Sequence, residues 1–584
     1  MARFDTILEH GTIVDGTGAP RQLGDVGIRD GRIAAMGDLH TDAAERRIDA
    51  AGKIVAPGFI DIHTHYDAQV FWDPALTPSS NHGVTTIVGG NCGFSIAPLV
   101  PAAGDYLQRM LARVEGMPLD SLQQGVPWNW TSFADYLSKF EENLVINAGF
   151  LVGHSALRRV VMGEDAVGKE ASDEQLEAMV RLLHESIEGG GLGFSSSVAP
   201  THNDGDGHPV PSRHASREEL IELAGAIRGH EGTSLEFLPG IGAFTDDEQD
   251  LMVALSCAAG RALNWNVLAV SSSQPDHAAA QLAVSDLARE RGGRILALTL
   301  PQVMTLRLNF VSGFIFDALP GFAPIIALPH EEKKKKLADP EVRAELDRRA
   351  NSPEAGAMGF FANWSGHRVD EAFSDETRRF EGRTIGEIAK ELGKSPFDTM
   401  MDIVVTDDLK TSFKPDMAGD DDTSWKLRAE VWKDERTVIG ASDAGAHLDM
   451  IDTFAVSTML LGPAVRERQL MSLEEGVHQL TQIPAELYGL EGRGRLADGG
   501  YADLVVFDEA VIGAGPVHTR YDLPGGAGRL YAEAEGIDRV LVAGEEILHR
   551  GEFTGKTPGR AMRSGHDTRG TELQDPAGRA RPTA

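Results

Sequence analysis

Two histidines flank a single threonine in the stretch PGFIDIHTHYD, Pro57 to Asp67. A turn (Pro57, Gly58) leads into an apolar run (Phe59, Ile60, Ile62) that ends at His63 and His65. In a strand, side chains two apart project from one face, so both imidazoles point the same way at the strand's end. Two neutral imidazoles placed like this suit a divalent metal such as zinc. Unrelated His-x-His pairs on surfaces or in satisfied cores are the bland alternative. Further along, Cys92 in GGNCGFS is either a thiolate for such a metal or a buried small apolar residue. Asp443 follows the apolar Val438 and Ile439 at a glycine-containing turn, and an Asp in a turn ordinarily just caps the chain.

The setting of these residues resembles a known family. PGFIDIHTHYD is similar to the first metal-binding strand of the amidohydrolase superfamily, and GVTTIVGGNCGFSIAP, Gly83 to Pro98, resembles its N-acyl-D-amino-acid deacylase (D-aminoacylase) branch. The resemblance implies an α/β fold: a (β/α)8, TIM-like barrel with a small β-sandwich built from both terminal segments, and a metal at the carboxyl ends of the barrel strands. It implies His63, His65, Cys92 and Asp443 as metal ligands, and zinc, one tightly bound ion, as cofactor. Asp443 is then also the catalytic proton carrier. His154, after the strand in GFLVGHSALRRVVMG, would orient substrate or polarise its carbonyl, or be purely structural. Ser196 in GLGFSSSVAP falls in the family's substrate-pocket loop. The activity implied is hydrolysis of a non-peptide amide, that of an N-acyl amino acid or related compound, by metal-activated water. A neutral amide, carbamate, urea or lactone in the same site is the alternative, and a non-catalytic scaffold a more distant one.

The likeness breaks in two places. Glu236 and Phe237 stand where the branch has a metal-binding histidine, and Asn264, Trp265 and Asn266 where it has a second. Asparagine is a poor zinc ligand while Glu236 is chemically competent. This is why a single ion is expected, with Glu236 as a further ligand left open. The arginine with which the branch grips its substrate's carboxylate after the last aspartate is absent from AHLDMIDTF.

Around these residues the chain alternates strand-like runs with helical patterns, the signature of βα units. DEQLEAMVRLLHESIEGG, REELIELAGAIRG and DHAAAQLAVSDLARERGG carry apolar residues at helical spacing and end at glycine. Short strands with glycine turns at both ends predict one sandwich domain from residues 1–56 plus 486–555, around a barrel at 57–485. Residues 300–384 read as an irregular insertion, its aromatics forming a lid or a packed core and Lys333 to Lys336 a solvated helix face. Residues 556–584 read as a flexible tail or subunit contact.

The 584 residues carry 55 Lys+Arg against 88 Asp+Glu, a formal charge of −33, which disfavours nucleic acid and anionic membranes as partners. Two cysteines exclude a disulfide framework. No stretch approaches the roughly 20 apolar residues of a spanning helix. These features point to a cytoplasmic enzyme with a small-molecule substrate, expected as a homo-oligomer.

Overall fold

The computed structural model describes residues 3–240 and 242–573. It is an α/β fold. A three-stranded parallel sheet (Phe59–Asp61, Val84–Gly89, Asn147–Phe150) runs beside a six-stranded one. The six strands are Val152–Gly153, Gly193–Ser197, Ser234–Leu238, Leu263–Leu268, Ile295–Thr299 and Thr437–Ile439, every neighbouring pair parallel. At one junction Leu151 lies between Asn147–Phe150 and Val152–Gly153 and donates to the Gly89 carbonyl at 2.9 Å. At the other, a parallel bridge joins Thr64, beyond the first strand, to Ala444, beyond the last.

The three expected helices form at Asp173–Glu188, Arg217–Ala226 and His277–Glu290. Ser172 opens the first with a reciprocal capping box to Gln175, satisfying two otherwise orphaned donors. A fourth, Asp246–Ala259, is capped by Thr245 and Glu248 and stopped by Gly260 in the left-handed conformation. Such strands bury both faces. Ile60, Ile62, Val88, Leu296, Leu298 and Val438 form one apolar cluster, while Phe194, Phe237 and Trp265 belong to the larger core shared with the helices.

Both ends of the chain contribute to one nine-stranded sheet. Leu504–Phe507 pairs antiparallel with Ile54–Pro57, which in turn pairs with Phe4–Ile13. Residues 556–573, expected as a flexible tail or a subunit contact, are fastened to their own chain. Ala148 N–H donates to the Arg560 carbonyl, Met562 N–H donates to the Ala148 carbonyl, and Arg569 and Leu573 N–H donate to the Gly489 and Gly260 carbonyls. The fully buried Met562 joins the cluster between the parallel strands. Residues 574–584 lie outside the described residues.

The insertion forms a core of its own, with Phe310, Phe316, Phe322, Trp364 and Phe397 in contact, and it continues past 384 to the strand Ser412–Lys414. Its lysine run is not wholly solvated. Lys333 is buried, its ammonium donating to the Phe310 and Val311 carbonyls.

Candidate metal centre

The first strand's extension, the loop after Val84–Gly89 and the turn after Thr437–Ile439 converge on one point. His63 Nε2 lies 3.6 Å from Cys92 Sγ and 3.7 Å from Asp443 Oδ1, and His65 Nε2 lies 3.0 Å from the same carboxylate oxygen. Donor atoms at about 2.0–2.3 Å from a tetrahedral zinc stand about 3.3–3.8 Å from one another, a range that the two His63 separations meet, while the His65–Asp443 separation is that of an ion pair. The valences suit a cation too. Among the described residues His63 Nδ1 is buried without a hydrogen-bond partner, a costly state for a polar atom, and His65 Nε2 meets only the Asp443 carboxylate, without an aligned hydrogen bond. Cys92 (φ 55°) and Asp443 (φ 56°) both hold left-handed backbone conformations, and so does His447 (φ 46°). Strain of this kind collects where surrounding structure forces side chains into place.

Charge tells the same story. Burial pushes the Glu115 carboxyl up to about 8 and the Glu236 carboxyl up to about 7. The Cys92 thiol rises by burial and by the nearby Glu236. Burial alone would lower His65, but Glu115 and Asp443 outweigh it and raise it to about 9. Burial opposes ionisation of Asp443 as well, yet His65 beside it holds the carboxyl well below its ordinary range. An acid-rich pocket balanced by a proton on a histidine is one where an incoming divalent cation displaces that proton.

The structure gathers the donor atoms of His63, His65 and Cys92 in one close set and those of His65, Glu115 and Asp443 in a second that shares His65. It adds Glu115, whose carboxylate lies 3.4 Å from His65 Nδ1 and whose carbonyl accepts from His447 N–H. Glu115 follows the helix Gly104–Val114 and is buried. His447 and His202 also feel the charge of Asp443, and the His447 ring packs tilted against Phe314 of the insertion, centroids 4.8 Å apart. Glu236 does not join either close donor set. Its Oε2 accepts from Cys92 N–H (2.9 Å) and Ser195 Oγ (2.5 Å), which props the cysteine's loop from behind. Asn264 donates to the Leu235 carbonyl, and Asn266 Oδ1 is 4.0 Å from Cys92 Sγ.

His154 and Ser196 are not brought to this cluster. His154 is fully buried, with Nδ1 at 2.8 Å from Ser196 Oγ and Nε2 at 2.8 Å from Glu219 Oε1. Glu219 also takes both bonds of Arg158 Nη1, at 2.6 Å each. The cause is strand parity: Ser195 faces Glu236, so Ser196 and Phe194 face the opposite layer, where His154 sits. Their expected roles in binding or catalysis give way to a structural one.

The amidohydrolase family profile matches residues 46–547, and the chain belongs to that family. It is 30% identical over 567 residues to a D-aminoacylase of Alcaligenes xylosoxydans xylosoxydans, covering 96% of this chain and 97% of that protein. An N-acyl-D-glutamate deacylase of the same organism is 29% identical, again covering 96% of this chain and 97% of that protein. Among solved structures, a D-aminoacylase described as defining a novel subset of amidohydrolases superposes with a TM-score of 0.64 at 28% identity, covering 96% of this chain and all of that one. Another, at TM-score 0.63, 27% identity and the same coverage, comes from work on a binuclear centre in D-aminoacylase with one-metal activation and second-metal attenuation.

Proposed function

We propose that this chain is a metal-dependent hydrolase of non-peptide carbon–nitrogen bonds, cleaving the amide of an N-acyl amino acid or a related N-acyl compound. The observation that carries it is the convergence of His63, His65, Cys92 and Asp443 with buried ring nitrogens left without aligned hydrogen bonds. Names of the relatives support the substrate class, since a D-aminoacylase and an N-acyl-D-glutamate deacylase both act on N-acyl amino acids. The parallel strands support the finer fold reading as well: an eight-stranded barrel, Asn147–Phe150 and Val152–Gly153 counting as one strand, beside a sandwich of both termini.

The four residues would hold one zinc ion, whose nitrogen and sulfur donors they supply. When bound, it contributes Lewis acidity towards a carbonyl and a water. Asp443, ionised and one-fifth exposed, takes the proton of the attacking water and returns it to the leaving nitrogen. Glu115 fixes the orientation of the His65 ring through Nδ1. A single ion is favoured because asparagine, at Asn264 and Asn266, is a poor zinc donor and Glu236 spends Oε2 on Cys92 N–H and Ser195 Oγ, leaving only its Oε1 unpartnered among the described residues.

A second reading, a neutral amide, carbamate, urea or lactone as substrate, is favoured by the absence of any arginine between Ala444 and Ala455. Metal analysis of purified protein with a hydrolysis screen tests both. About one zinc per chain and turnover of N-acyl amino acids is expected; a metal-free, inert protein after zinc supplementation sinks the proposal.

A further inference from the structure

If the substrate is an N-acyl amino acid, its carboxylate must settle near a centre already crowded with Asp443, Glu115 and Glu236, and a fixed cation is needed to hold it there. The segment after Asp443 supplies none. Arg113, on the helix leading to Glu115, spends its charge on Asp317 at 2.6 Å. Another arginine is differently placed. Arg213 sits in the loop that follows the strand Gly193–Ser197, at the carboxyl ends of the parallel strands, and is half-buried. Its Nη1 donates to the His202 carbonyl (3.0 Å) and to Asn203 Oδ1 (2.8 Å), and it forms no ion pair among the described residues. Burial with no carboxylate against it lowers its pKa below the ordinary arginine value. A partly desolvated guanidinium with nitrogens to spare is a ready fork for a carboxylate.

The loop ties this arginine to the backbone of His202. That imidazole packs on Phe94, two residues past Cys92, with ring centroids 4.9 Å apart. Ser197 Oγ, at the strand's end, holds its Nδ1 at 2.8 Å, and Nε2 has no hydrogen-bond partner among the described residues. The charged neighbours of His202 are Asp443, His447, His65 and Arg213. The loop is also braced. Ser212 Oγ donates to the Ser197 carbonyl (2.7 Å), Asn203 bridges to Pro209, and Asp204 accepts from Tyr106 Oη and His208 N–H. A subsite held this firmly loses little entropy on binding.

The geometry points to Arg213, with the free edge of His202, as the subsite that grips a carboxylate on the substrate, a task for which no arginine follows Asp443. This rests on the amide-hydrolase reading, and it commits the substrate to an N-acyl amino acid with a free carboxylate.

The test compares an N-acetyl amino acid with its C-terminal carboxamide on the zinc-replete protein, by kcat/KM and, independently, by calorimetric titration with each compound. Wild-type protein is expected to prefer the carboxylate at least about tenfold, a modest return for one charge-assisted pair. Arg213→Gln is expected to collapse that preference, mainly through KM, and Arg213→Lys to keep part of it. Equal handling of the two compounds by wild type overturns the subsite, whatever the variants do, and so does a preference that survives Arg213→Gln. Should neither compound be hydrolysed, the amide-hydrolase reading fails. The titrations still decide the subsite by the same preference.

Discussion

Two buried clusters of histidine and carboxylate lie close together in this molecule, and they differ in what is left over. Around His63, His65 and Asp443, ring nitrogens are buried without aligned hydrogen bonds and backbone angles are strained. Around His154, every ring nitrogen has a partner at 2.8 Å, and Glu219 answers both His154 and Arg158. Burial and residue type are shared; unspent histidine valence is not, and at the second cluster only Arg158 Nε lacks a partner among the described residues. A satisfied cluster ties a helix to a strand, whereas one with unused donor atoms is prepared for something that is not protein.

Several experiments would break or sharpen that contrast. Chelation of the metal should have the largest effect, abolishing turnover until zinc is restored, with a fall in melting temperature because the ion binds only the native chain. Asp443→Asn should lower kcat by at least about 10³-fold while the far-ultraviolet spectrum stays that of the wild type. Glu219→Gln leaves Arg158 as a buried, unanswered charge and should cost about 3–5 kcal/mol of stability, read as a lower denaturant midpoint, with zinc content unchanged. If Glu219→Gln instead removed activity without touching stability, the distinction between strut and site would be wrong. Glu115→Gln should be mildest, weakening zinc affinity or turnover by about 10–100-fold.

The proposed metal residues can be picked out of the sequence because their signals are short. His63 and His65 lie two apart just beyond the strand Phe59–Asp61, while Cys92 and Asp443, each a few residues past a short apolar strand, are singled out by the resemblance. Glu115 could not be read that way. It closes an amphipathic helix with nothing in its spacing to mark it, and it reaches His65 only because the loop folds back. His202 and Arg213 lie in a polar loop whose hairpin, pinned by Asn203 and Pro209, is a tertiary fact. The placing of His154 and Ser196 away from the cluster has a simpler reason. In GFSSS one serine in two faces the interior, and Phe194, which shares a core with the helices, marks which one does not. The insertion's reach past 384 was hidden because its second strand, Ser412–Lys414, is only three residues long.

Met562 wedges between strands that were made hundreds of residues earlier in the chain. During synthesis the earliest of those strands therefore wait, with an open underside, until Met562 has been made. A ribosome paused before that methionine emerges would display apolar surface to chaperones and proteases alike, and a truncation upstream of it would keep all the chemistry while exposing the inner wall.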